Sequence, residues 1–199
     1  MKNIILIVII LYCIIININV MTILHNDSKI HNHIKFNKGQ LIVTTHDYEH
    51  IDIFVMLNEI IKQKQNVSIV FADHIWNHLL YYYIQFIGID YITFIFRQGG
   101  TVKQMINKIQ NDETVIIYSY RDNIGTGIYY TLKETKCPLV LCQIQSNFKY
   151  TNLHNSCLID VIMKNLNKTY HLYYKRYKYN LYINDKNFIK KINQLLYTI

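Results

Sequence analysis

The segment Thr44-Thr45-His46-Asp47-Tyr48-Glu49-His50-Ile51-Asp52 sets an imidazole at the mouth of a helix, with a carboxylate six residues on. Those are the parts of a general base and its orienter. Histidine suits the first role because its pKa lies near working pH; a carboxylate fixes the tautomer and stabilises the imidazolium. On one ideal helix, residues six apart stand about 240° around from each other. His46 and Asp52 therefore meet only if His46 lies on the loop before the first turn. A second loop, Tyr118-Ser119-Tyr120-Arg121-Asp122-Asn123-Ile124-Gly125-Thr126-Gly127, carries groups suited to an anion. Arg121 offers paired N–H donors, and Gly125 and Gly127 let backbone N–H groups come close. The same first segment also admits a metal-dependent hydrolase. His46 and His50 stand at i and i+4, and Asp73-His74 with His78 repeats that spacing. Zinc helices of that kind carry Glu where Asp47 stands, so the acid–base reading is preferred, and it needs no metal.

The elements that must hold these groups follow from hydrophobic periodicity. Residues 40–44 (QLIVT) read as a buried strand, and Ile51, Phe54, Val55, Leu57, Ile60 and Ile61 as the apolar face of a helix closed by the polar run 62–66. A strand follows at 67–72, an aromatic-rich helix at 75–87 and a strand at 91–96. Thr101 caps a helix through Gln110, residues 114–118 form a strand, and 128–135 a short helix. A strand opens at Pro138 and runs to 144; a basic, Tyr-rich strand and a last helix, 185–196, complete the chain. Strands alternating with amphipathic helices predict an α/β fold: a largely parallel or mixed sheet flanked by helices. In such sheets ligands sit beyond the carboxyl ends of the strands, where both loops fall.

Residues 4–16 are an almost unbroken apolar run behind Lys2, continued more weakly to residue 24. With about 20 residues needed to cross a bilayer, this predicts one N-terminal apolar helix acting as an uncleaved membrane anchor, with a cleaved signal and an interfacial or buried helix as the alternatives. The chain then divides into an anchor at 1–24, a polar linker at 25–39 and one domain at 40–199. The formal charge is +8, and residues 160–199 hold eight basic side chains against two acidic ones. A basic end beside an apolar anchor suits an anionic lipid surface. Nucleic acid is not expected, because the Tyr-rich basic run reads better as a strand. The four cysteines show no CxxC spacing and read as buried thiols.

The order of these blocks resembles the glycerolipid acyltransferase family. Thr45-His46-Asp47-Tyr48-Glu49-His50-Ile51-Asp52-Ile53-Phe54-Val55-Met56-Leu57 is similar to the family's first block, with five residues between His and Asp where the family has four. Phe94-Ile95-Phe96-Arg97 resembles the second block. Val115-Ile116-Ile117-Tyr118, then Ser119-Tyr120-Arg121-Asp122-Asn123, resembles the third without its Pro, Glu and Gly; the family's arginine falls on Asn123 or is displaced to Arg121. Thr135-Lys136-Cys137-Pro138-Leu139-Val140-Leu141-Cys142 is similar to the fourth. The resemblance implies acyl transfer from acyl-CoA to a hydroxyl of a glycerol-phosphate or lysophospholipid acceptor, at a membrane of the endoplasmic-reticulum type. His46 is then the base and Asp52 its partner, while Arg97, Arg121, Asn123, Gly125 and Gly127 hold substrate. Acyl-CoA is the co-substrate, and no resident cofactor is implied. A non-catalytic member with the same fold is the alternative.

Overall fold

A computed structural model describes residues 28–31, 36–45, 50–119, 125–146, 170–177 and 185–198, together with Ile7, Ile10, Leu11 and Ile14. The strands are β1 (Ser28–His31), β2 (Leu41–Thr45), β3 (Val67–Ala72), β4 (Ile92–Arg97), β5 (Thr114–Ser119), β6 (Leu139–Ser146) and β7 (Tyr170–Tyr177). The helices are α1 (His50–Gln63), α2 (Ile75–Phe86), α3 (Thr101–Gln110), α4 (Thr126–Thr135) and α5 (Asp185–Leu196). All seven strands join one sheet in the order β1-β7-β6-β2-β5-β3-β4. Neighbours run parallel except β6 and β7, which are antiparallel.

Central strands covered on both faces need apolar side chains in both directions, and β2 is buried at all five of its positions. Ile42, Ile69, Ile116 and Val140 point to the face covered by α1 and α2, in one core with Met56, Ile60, Leu80 and Ile84. Leu41, Val43, Val115 and Leu141 point the other way, to Met105 and Ile109 of α3, Ile128 and Leu132 of α4, and Phe188 and Ile192 of α5. Helix α1 is enclosed all round, since every residue from Val55 to Ile60 is buried.

The crossovers decide where a site can form. The chain leaves β2 for α1 and β3 for α2, both on one face; it leaves β5 for α4 and β4 for α3, both on the other. Along the run β2-β5-β3-β4 the exits thus alternate between faces, the arrangement at whose carboxyl edge open α/β sheets hold their ligands.

Two expectations are corrected. The N-terminal apolar helix is not supported as a membrane anchor, because no helix among the described residues is long and apolar enough to cross a membrane. The longest, α1, has 14 residues where a bilayer needs about 20. Of 1–24 only Ile7, Ile10, Leu11 and Ile14 are described, each helical and about half exposed. The membrane location of endoplasmic-reticulum type, the membrane-lipid partner and lipid acylation at a membrane lose their support with the anchor, and so do the acyl-CoA and glycerol-phosphate or lysophospholipid partners attached to that reaction. The second correction is local. Ser28–His31, inside the stretch read as a linker, is a strand that pairs with β7 from Ser28 against Tyr170 to His31 against Tyr173. Its partner lies over a hundred residues away, so nothing local marks it.

Candidate functional site

Thr45 and Ser119 stand opposite each other at the carboxyl ends of β2 and β5. The chain runs on from Thr45 directly into His46, and from Ser119 into 120–124. His46, Arg121 and Asn123 lie outside the described residues, as do 47–49. What the structure describes is the frame they spring from. The β2–β6 ladder closes at Thr44 against Cys142. Beyond it, the Thr45 Oγ1 accepts a hydrogen bond from the Ile144 N–H at 3.0 Å, which fastens β6 to the last residue of β2.

Asp52 sits in the first turn of α1 and is fully buried. A carboxylate at that end of a helix is favoured by the exposed N–H dipoles. Residues 52, 56 and 59 fall on one stripe of α1, and all three are buried. The stripe faces a polar layer unusual for a sheet core: Thr44, Tyr118, Cys142 and Tyr174 are buried too. The Met56 sulfur accepts from the Cys142 thiol and from the Tyr174 hydroxyl, each at 3.9 Å. Burial, with the Asp52 charge adding to it, drives the Tyr118 hydroxyl well above its ordinary value. Burial also pushes the Cys142 thiol up to about 12. Both groups stay neutral at any ordinary pH, so neither supplies a nucleophile. Glu59 closes the layer through an ion pair with Lys62 at 3.2 Å.

Arg97 ends β4, two strands from β5, yet its Nη2 donates to the Tyr118 carbonyl at 3.0 Å. At about 4.8 Å per strand, β4 and β5 stand roughly 10 Å apart, a gap that the extended arginine side chain and its hydrogen bond bridge together. It remains exposed, and among the described residues the Tyr118 carbonyl is the hydrogen-bond partner of its guanidinium N–H donors.

The two glycines differ from an anion-binding turn. Gly125 precedes α4 in ordinary extended conformation, and nothing lies within 4 Å of the position a Cβ would take. Gly127 lies within α4, where an added Cβ would stand 3.2 Å from Val102 Cγ2 and 3.8 Å from Met105 Cε. Its small size therefore lets α3 and α4 approach each other.

A pair that sequence spacing did not single out lies at the β3–β4 end. His78 Nε2 and Asp73 Oδ1 are 2.7 Å apart, and the Gln98 side-chain amide donates to Asp73 Oδ2 at 2.8 Å. The imidazole stacks on Phe96 with ring centroids 3.8 Å apart. The sequence spacing i and i+4 pairs His74 with His78, whereas in the structure the partner of His78 is Asp73, the residue before His74. Among the described residues no three His, Cys, Asp or Glu side chains gather as a metal site. His46 and the His50 side chain, the pair on which the hydrolase alternative rests, lie outside that description.

No protein-family model matches this chain, and no curated protein does.

Proposed function

We propose that the chain is a divergent enzyme of the glycerolipid acyltransferase type, performing metal-independent acyl transfer to a hydroxyl at the carboxyl ends of β2 and β5. The membrane and the acyl-CoA and lipid partners form no part of this reading. It is carried by one observation: a fully buried carboxylate, Asp52, in the first turn of the helix that leaves β2. Burying a carboxylate costs several kcal/mol, so an acid enclosed at this depth is one that its surroundings hold in place. A site that positions a base is a sufficient reason to keep it there. His46, following Thr45 directly, is the base that takes the hydroxyl proton as oxygen attacks the acyl carbon; Asp52 orients the ring and steadies its charged form. Arg97, tied to the Tyr118 carbonyl, stands where it can pair with an anionic part of the substrate.

The test is ester formation from p-nitrophenyl butyrate with glycerol as acceptor, followed by nitrophenol release and by mass spectrometry of the product. His46→Ala should lower kcat/KM by about 10²–10⁴-fold, the usual contribution of a positioned base. Absence of ester from the wild type, or equal rates in the variant, overturns the reading.

A further inference from the structure

The exits change face between β3 and β4 as well as between β2 and β5, and the former is the place whose side chains are described on both sides. Asp73 follows β3 on the way to α2, and Gln98 follows β4 on the way to α3. Asp73 is bridged to both walls: its Oδ2 accepts from Gln98 at 2.8 Å and its Oδ1 meets His78 Nε2 at 2.7 Å. Those two contacts occupy both carboxylate oxygens and fix the acid in place. The carboxylate in turn places the imidazole proton on Nε2, leaving Nδ1 as a lone-pair acceptor. Among the described residues Nδ1 has no hydrogen-bond partner. Phe96, stacked at 3.8 Å, removes the ring's remaining rotational freedom. The pair stays reachable, with side-chain exposures of 34% for His78 and 42% for Asp73. An imidazole with one nitrogen engaged, one nitrogen open and its plane fixed has the geometry of a positioned base.

We propose that His78 is a second proton-accepting group of this protein, serving hydroxyl-bearing substrates. Asp73 and Gln98 are its positioning residues. In the step His78 would serve, the substrate O–H bond breaks as oxygen attacks an acyl carbon, and the proton passes to Nδ1. The acyl carbon's bond to the leaving oxygen of the ester donor breaks, and the imidazolium returns its proton to that oxygen. Nothing is oxidised or reduced. The site stands apart from His46, and the two are separated by experiment.

Two measurements on the full chain decide it. Diethyl pyrocarbonate acylates an accessible, unprotonated imidazole nitrogen, and peptide mass spectrometry locates the modified histidine. His78 should be modified faster than the adjacent His74, and Asp73→Asn should slow its modification several-fold. In the p-nitrophenyl butyrate assay, His78→Gln should lower kcat by at least about tenfold. Asp73→Asn should lower kcat with KM unchanged, as expected of a residue that orients the base. His46→Ala run in parallel distinguishes the sites. Loss in His78→Gln with none in His46→Ala keeps this inference and removes the base assigned to the β2–β5 end; the reverse pattern removes this one. Slow modification of His78 in the folded protein overturns the proposal even where the wild type shows no turnover, and so does a rate unchanged by Asp73→Asn.

Discussion

Two carboxylates at the carboxyl edge of one sheet, Asp52 and Asp73, are set in opposite environments. Asp52 is fully enclosed between α1 and the sheet, in a layer with Tyr118 and Cys142. Asp73 lies out in solvent, held by His78 and then Gln98, whose hydrogen bonds keep its carboxyl below the ordinary value. The first acts where water is excluded, so its charge reaches Tyr118 and Cys142 and its removal must disturb the fold. The second is screened by solvent, so its contribution to stability is small and its value lies in aiming one ring. Depth decides how far a carboxylate's charge is felt by the groups around it.

The largest expected effect tests the enclosed layer as a whole. Cys142, Tyr118 and Tyr174 all have acidities suppressed by burial. Above the ordinary thiol value of 9.0 the unfolded chain releases the Cys142 proton, while the folded chain keeps it to about 12. The unfolded state then binds fewer protons, so stability falls as pH rises across that interval, by on the order of a few kcal/mol. Urea melts from pH 8 to 11 should show that decline, and Cys142→Ala should flatten it. A slope unaltered by the substitution would mean that the thiol is not enclosed.

The next effect isolates the deep carboxylate. Asp52→Ala should cost about 1–3 kcal/mol in chemical denaturation at neutral pH, through the groups it leaves unsatisfied and the space it vacates. A midpoint equal to that of the wild type would erase the contrast with Asp73. The smallest effect belongs to Asp73→Asn, whose denaturation midpoint at neutral pH should match the wild type while the reactivity of His78 drops. Because the carboxyl is held below its ordinary 3.8, whatever stability it adds is present above that value and is lost only as pH falls through the lower folded value. An acid-side midpoint shift in the wild type that vanishes in Asp73→Asn would measure it.

Local elements were largely legible. The last helix, 185–196, has those bounds in the structure, while the helix ending at Gln110 takes Thr101 as its first residue, with Gly100 in the cap position and no side-chain cap bond. Periodicity of side chains is a local property, and α3 buries Met105 and Ile109 on the face the spacing marks. The apolar run at 4–16 shows the limit of that method. Hydropathy alone predicts a membrane helix, yet no described helix is of that kind. The glycine pair shows another limit: a GxG spacing carries no record of what stands opposite, and Gly127 meets α3. His78 was noticed for its spacing from His74, but a strand end and the first helical turn bring Asp73 to it instead.

The amino-acid order by itself determined the alternation of strand and helix and the placing of two polar loops at strand ends, because hydrophobic period and caps act over a few residues. Tertiary structure decided which strands are neighbours. It brought β5 between β2 and β3, turned β7 against β6, and put Asp52 inside the molecule and Asp73 outside it. Strand order depends on pairing between segments remote in the chain, and depth depends on what those pairings stack above each side chain; neither quantity exists until the sheet has closed.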